Sequence, residues 1–446
     1  MRNLIVHAHN TEEAKRFLSP VNKRGQGSEA TSVVNRVSEI IESVRTGGDD
    51  SLLHWARTLD GFSGSPRDLE IGKAASKTAW ESLPIELQQA LSFARERVHR
   101  YHTKIRESMR DLLPSREMGG FRWTPIERVG IYVPGGTATY PSTVLMTATV
   151  ARVAGVLEVC VVTPAGPKGI SPVVLGACHI SGVDRIFSVG GVHALAALAF
   201  GTRSVPGVDQ IVGPGNRYVS EAKRQLFGKI AIDMIAGPTE VVIVADAKAN
   251  PTWIASDLIA QAEHDIFASA ILITDSQTLA KQVQKETEDQ LQDLPRREIA
   301  EQSLEKFGSI VVVSSLNGSQ EIVDWLAPEH LELCLENSRE YARLVRNAGA
   351  IFFGETIPEA AGDYCFGPSH VLPTNGSARF SSPISVETFM KRTSLLGFPG
   401  ETEKGHGSWI EEEERILEVS EILARAEGLE GHARSAHLRR MRTQDR

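Results

Sequence analysis

Cysteine is scarce: the 446-residue chain has four, Cys160, Cys178, Cys334 and Cys365, with no short paired spacing. That excludes a disulfide scaffold and an all-cysteine zinc site, and it points to a reducing, cytoplasmic compartment. Positive charge is also in deficit, with 48 Lys+Arg against 56 Asp+Glu and a net charge of −8. A nucleic-acid or anionic-membrane binder wants a basic surface, so neither partner is expected. No clean apolar run reaches the ~20 residues of a membrane span. The most apolar windows, 143–163 and 187–200, are interrupted by Arg152, Glu158 or His193. The start, MRNLIVHAHN, loses its apolar character too soon for a signal peptide. No GxGxxG follows a strand pattern, so a bound dinucleotide would not use the standard pyrophosphate fingerprint. The HExxH pair of many zinc hydrolases is missing too.

What is present suffices for a full core. Hydrophobic residues make up 41% and there are 38 glycines, so global disorder is excluded. The length suggests two to four domains. Residues 1–25 read as an arm with a short polar helix, Pro20 and the loop NKRGQG. Val33, Val37, Ile40, Ile41 and Val44 then form one helical stripe. Gly47-Gly48 stops that helix, Asp49-Asp50 can cap the next, and another long helix covers about 83–108.

From residue 129 the pattern becomes β-α-β. Strands are expected at 129–133, 158–163, 185–189 and 209–212, then again at 240–245, 270–274, 309–313 and 350–353, with helices between. Two successive open α/β units of similar rhythm suggest an internal duplication. From about 386 the tail reads as helical and charged, and its basic end as a solvated one.

Six segments could carry chemistry. YVPGGTATYPS (Tyr132–Ser142) and Val212-Gly213-Pro214-Gly215-Asn216 are glycine turns after strands, where ligands of open α/β sheets sit; either could be an ordinary βα turn. Gln261 and His264 share one face at a helix end, though such a His is usually just hydrogen-bonded. Pro328-Glu329-His330, after the helix IVDWL, offers an acid–base pair or two exposed loop residues. Gly362-Asp363-Tyr364 with Gly367-Pro368-Ser369-His370 describes a rigid loop presenting polar groups at a strand's carboxyl end, or only a turn. EGLEGH (Glu427–His432) could be a frayed end. Gln261, His264, Asp363 and His432 would make a zinc-compatible set if they converged.

In this order the segments resemble the histidinol dehydrogenase family over roughly 30–440. The motifs that carry the resemblance are RVGIYVPGG…YPSTVLM, VGPGNRYV, IDMIAGPTEVVIVAD, SDLIAQAEHD, APEHLEL, AGDYCFGPSHVLPT and EGLEGH. The resemblance implies oxidation of L-histidinol to L-histidine through histidinaldehyde, in two NAD-dependent steps with one zinc per site. It implies zinc on Gln261, His264, Asp363 and His432, where the metal orients the substrate's imidazole and amino groups. His330 is then the base for the alcohol, and Glu329 activates the water that hydrates the aldehyde. Thr239, Gln261, His264, Glu329, Asp363, Tyr364, His370, Glu427 and His432 map to substrate contacts. Tyr132, His193 and Asn216 map to NAD contacts.

The family implies a homodimer whose terminal segments cross, so that Glu427 and His432 complete the partner's site. It implies α/β architecture with two incomplete Rossmann-like domains. The expected division is an arm at 1–25, a first domain from 26–128 and 237–385, a second at 129–236, and a helical dimerisation segment at 386–446. Three positions depart from the family pattern: Thr239 replaces a Ser, His193 a Gln, and Ser369 stands in a loop that often reads GxNHVLPT. A related dehydrogenase of another small alcohol, such as a sulfonated diol, would be expected to alter YPS and GDY, which this chain retains.

Overall fold

The computed structural model describes residues 3–22, 24, 29–114, 119–135, 139–166, 169–397 and 407–444. Most of the loop NKRGQG and residues 136–138 of the first glycine turn lie outside these. The described chain forms two compact units, one of 1–106 with 126–389 and one of 107–125 with 390–446. Its strands are β1 (Ile5–Ala8), β2 (Glu70–Ile71), β3 (Gly120–Pro125), β4 (Arg128–Tyr132), β5 (Glu158–Thr163), β6 (Arg185–Ser188), β7 (Gln210–Val212), β8 (Ala231–Ile232), β9 (Glu240–Ala245), β10 (Ser269–Thr274), β11 (Ser309–Val313), β12 (His330–Cys334), β13 (Ala350–Phe353) and β14 (Met390–Leu395).

The larger unit holds two sheets. One runs β1-β11-β10-β9-β12-β13 and is parallel throughout. The other runs β2-β6-β5-β4-β7-β8, with only the β2–β6 pair antiparallel. In each, the chain lays down three strands in one direction and returns to pair the fourth with the first. The switch points are therefore β9/β12 and β4/β7, the places where open sheets build sites.

Burial on both faces explains the continuous apolar runs of these strands. In the first sheet the side chains alternate between two cores. Val242, Val244, Ile271, Ile273, Val311, Leu331 and Leu333 pack on one face, and Val241, Ile243, Leu272, Ile310 and Cys334 on the other. The second face is covered by the helix Pro251–Ala262 through Ile254, Leu258 and Ile259. His330 and Glu332 share the parity of Cys334, so they point toward that helix.

Three local expectations give way. The N-terminal arm begins with a strand, because Ile5–Ala8 extends an existing sheet edge at β11. The tail is not helical from 386: Met390–Leu395 forms β14, which pairs antiparallel with β3 in the smaller unit. Helices Gly407–Ala426 and Glu430–Gln444 follow. The break at Gly47-Gly48 is present as a kink, with Gly48 at φ 54°. Asp49, though, spends its carboxylate on the backbone N–H and hydroxyl of Ser204 (3.1 and 2.8 Å).

Candidate active site

β12 enters the first sheet beside β9 with His330 opposite Val241. Glu329 and His330 are thus set against Thr239 and Glu240 at the amino edge of the sheet. His330 opens a five-residue strand that is buried throughout and Glu329 immediately precedes it; both are buried, and neither lies in the exposed loop that remained open from the sequence. The turn into the strand uses Ala327 in the left-handed region (φ 50°). Gly349, which immediately precedes the neighbouring strand β13, has no room for a side chain: a Cβ would come within 2.6 Å of the Glu329 carbonyl.

Glu329 Oε2 lies 2.5 Å from the Thr239 hydroxyl and accepts the Glu240 N–H at 3.0 Å. Burial dominates its titration and pushes the carboxyl up to about 8, despite those two hydrogen bonds. His330 Nδ1 faces the Glu240 carbonyl at 3.2 Å and a Glu359 oxygen at 3.3 Å. The carbonyl can only accept, so the proton sits on Nδ1 and the Nε2 lone pair is free, 3.8 Å from Asp363 Oδ1. Burial pushes the imidazole down to about 4. It is therefore neutral near pH 7, as a general base must be.

The helix Pro251–Ala262 delivers Gln261 to the same edge, since it runs back against the strands. The Gln261 amide oxygen faces the Thr239 hydroxyl (2.5 Å) and the Glu240 N–H (2.7 Å), and its nitrogen donates to Glu359. The hydroxyl has one proton. Glu329 Oε2 and the Gln261 oxygen compete for it, so it is donated to one of them at a time.

Glu359 opens the helix Glu359–Tyr364, and Asp363 follows one turn later on the same face. Burial raises the Glu359 carboxyl well above its ordinary range, and the surrounding carboxylates raise it further. His264 lies just past the Gln261 helix and is exposed. His370 Nδ1 is held at 2.8 Å by the Asp363 carbonyl. Tyr364 is 60% exposed, with its phenol raised by partial burial and by Asp363. A cavity of about 180 Å³ opens here, lined by His330, Phe352, Gly362, Asp363, Ser369 and His370. Ser369 closes its floor, donating to the Met146 carbonyl at 3.1 Å.

The loop that follows β13 thus presents Asp363 and His370 back at the amino edge, where His330 starts its strand. The sequence reading placed it at a carboxyl end. The short helix Glu359–Tyr364 reverses the chain and accounts for the difference.

The other sheet gathers its residues at carboxyl ends. Tyr132 ends β4, and its hydroxyl accepts the Gly191 N–H at 3.3 Å. Burial pushes the phenol up to about 12. His193, fully buried on the helix Gly191–Phe200, reaches Asp60 through Nε2 at 3.0 Å, and Asp60 also accepts the Gly190 N–H at 2.8 Å. Asn216, after β7, caps the next helix by accepting from Tyr218 and Val219 N–H (3.0 and 3.2 Å). Glu427 and His432 lie in the smaller unit, both exposed, at the turn between its two helices.

Sequence reasoning missed Glu240, Arg24, Glu332, Glu359 and Asp60. Glu240 stands inside an apolar strand pattern, EVVIVA, where a lone charge in a fully buried strand is a usable signal. Arg24 and Asp60 carry no local signal, because their partners are far away in sequence.

Fold and site define an α/β protein with carboxyl, imidazole and amide groups gathered at a buried sheet edge. Residues 23–440 match the family model described as histidinol dehydrogenase. The chain belongs to the histidinol dehydrogenase family and is an NAD-dependent oxidoreductase of the alcohol and aldehyde type. Among its relatives, the histidinol dehydrogenase of Synechococcus sp. is 45% identical over 92% of this chain and 93% of its own. That of Mesorhizobium japonicum is 46% identical over 90% and 92%. A solved histidinol dehydrogenase from Elizabethkingia anophelis superposes with a TM-score of 0.89 at 31% identity, covering 99% of this chain and 98% of that one.

Proposed function

We propose that the chain converts L-histidinol to L-histidine through L-histidinaldehyde, with two NAD+ and one zinc per site. The observation that carries this reading is the placement of Glu329 and His330 against Thr239, with Gln261 and Asp363 alongside. Gln261, His264, Asp363 and His432 are the zinc ligands, an amide oxygen, two imidazoles and a carboxylate. Support for their fit comes from the Gln261–Glu359 hydrogen bond, which ties the Gln261 helix to the helix carrying Asp363. When bound, zinc orients the substrate's imidazole and amino groups and NAD+ accepts hydride. Every proton movement falls to the chain.

His330 Nε2 takes the proton of the alcohol in the first oxidation. Glu329 takes the proton of the water that adds to the aldehyde, giving the hydrate needed for the second. A carboxyl poised near the working pH suits a group that gives and takes a proton within one turnover. Thr239, Tyr364, His370 and Glu427 complete the substrate contacts. Tyr132, Asn216 and the turn that His193 shares with Gly190 through Asp60 form the NAD edge.

We also propose a homodimer in which Glu427 and His432 serve the other subunit's site. The matching strand orders of the two sheets support two Rossmann-like domains arisen by duplication. The expected assignment of 26–128 to the domain of 237–385 gives way: β2 pairs with β6, and Val37, Ile40, Leu52 and Leu69 share a core with Tyr132, Phe187 and Leu195, so the helical stretch joins 129–236, while β1 of the arm joins the sheet of 237–385. Low cysteine content supports a cytoplasmic location. Neither nucleic acid nor membrane is a proposed partner.

The test is stoichiometry. Purified protein with zinc, NAD+ and L-histidinol should yield about two NADH per L-histidine, one hydride for each oxidation. No NADH above background overturns the assignment; about one NADH with aldehyde released overturns the role of Glu329.

A further inference from the structure

We propose that Arg24 and Glu240 are a positioning pair that fixes the geometry of both catalytic residues. The proposal rests on the reading that Glu329 and His330 carry the proton transfers. The main chain of Glu240 touches both of them. Its N–H donates to Glu329 Oε2 at 3.0 Å, and its carbonyl accepts from His330 Nδ1 at 3.2 Å. The first contact aims the carboxyl, and the second selects the tautomer that leaves Nε2 basic. A shift of this one residue would move the whole acid–base pair.

The Glu240 side chain holds that residue in place. Its carboxyl is buried, pairs with Arg24 Nη2, and accepts the Asn375 N–H at 3.2 Å. Arg24 has no freedom either. Its Nε donates to the Val21 carbonyl at 2.8 Å and its Nη1 to the Phe267 carbonyl at 2.9 Å, and the guanidinium lies 5.6 Å from the centre of the Phe307 ring. Three separate stretches of chain thus meet at one guanidinium: the end of the N-terminal helix, the head of β9 and the turn before β10. Asn375 adds a fourth, the segment that follows His370.

Stability alone does not account for such a pair. Replacing a buried ion pair with well-packed apolar groups is often neutral or stabilising, because desolvation cancels the Coulomb gain. What an apolar pair cannot supply is a directional hold on the residue that grips Glu329 and His330. Misplacing reacting groups by about 1 Å can cost on the order of a hundredfold in rate.

The experiment uses the zinc-loaded full-length enzyme with Glu240→Gln, Arg24→Met, Arg24→Lys and the double Arg24→Met/Glu240→Gln. His330→Asn is measured in parallel. We expect kcat to fall roughly tenfold in Glu240→Gln and up to about a hundredfold in Arg24→Met. KM for histidinol and NAD+ should stay within about threefold and zinc content should be unchanged. Arg24→Lys should recover part of the loss in Arg24→Met, and the double variant should be no worse than Arg24→Met, since coupled residues are non-additive. If Arg24→Met does not fold, the near-isosteric Glu240→Gln decides. Folded, zinc-replete variants with kcat within about twofold of wild type overturn the proposal. So does a fall in kcat and zinc content accompanied by a rise in KM, which marks a merely structural pair. A fully active His330→Asn instead overturns the catalytic reading on which the proposal rests.

Discussion

Lys223 and Asp233 lie 2.6 Å apart, Nζ to Oδ1, with both side chains out of contact with water. Together they take both polar groups of Gly213: Asp233 accepts its N–H at 2.8 Å, and Lys223 donates to its carbonyl. Gly213 sits at φ 110°, and a Cβ there would collide with the Tyr132 carbonyl. The turn at the β4/β7 switch point is therefore clamped from beneath. Lys223→Met leaves the Asp233 carboxylate buried without its counter-charge. We expect a loss of about 3–5 kcal/mol in urea unfolding. A raised KM for NAD+ with little change for histidinol should accompany it.

Removing the base should separate chemistry from metal binding. For His330→Asn we expect kcat to drop by roughly 10²–10⁴, the usual contribution of a general base, with zinc retained. Zinc loss would mean that His330 is a ligand. Glu329→Gln should slow oxidation of supplied histidinaldehyde more than the first NADH-forming step, as read in single-turnover traces.

Mixing two inactive variants tests whether sites are shared. Glu329→Gln places its defect in the larger unit, and His432→Ala in the smaller. If His432 serves the other subunit's site, hybrid dimers carry one site with both residues native. Re-equilibrated mixtures should then regain up to about a quarter of wild-type activity, by random pairing of symmetric protomers. Mixtures as inactive as their parents would place His432 in its own subunit's site.

Asp184 gives a prediction in pH. Burial alone would raise its carboxyl, but the Val159 N–H and Arg152 outweigh burial and hold it below the ordinary range. A carboxyl depressed in the folded state stabilises above its unfolded value of about 3.9, and that contribution fades as pH falls through the folded value. Asp184→Asn should therefore cost about 1–3 kcal/mol at pH 7, the worth of charge-assisted hydrogen bonds. The penalty should shrink when chemical denaturation is repeated below pH 4.

Much of the architecture could be read from the residues. Strands such as EVVIVA and AILIT announce themselves because both faces are buried and polar residues are excluded. β12 did not: HLELC puts His330 and Glu332 on one face and Leu331 and Leu333 on the other, so it looks half-exposed. The face that carries His330 and Glu332 is in fact covered by the Gln261 helix. Polar side chains on that covered face erase the apolar signal that would reveal the strand. β1 and β14 were hidden for another reason: they are edge strands defined by distant partners, Ser309–Val313 and Gly120–Pro125. Candidate site residues were visible as motifs. The hydrogen bonds from Arg24 to Glu240 and from His193 to Asp60 span 216 and 133 positions, and only folding exposes them.

Glu329 and His330 stand at the head of an interior parallel strand, with β9 on one side and β13 on the other. Many enzymes keep their reactive groups on loops that can loosen while the scaffold stays folded. Here the proposed acid–base pair cannot relax without parting the middle of a six-stranded sheet. Competence and cooperativity are therefore one property of this molecule. On heating, turnover should persist until the sheet opens and then vanish with it. Amide protons of Leu331 and Leu333 should exchange no faster than those of the deepest core, so the slowest-exchanging part of the molecule includes its most reactive part.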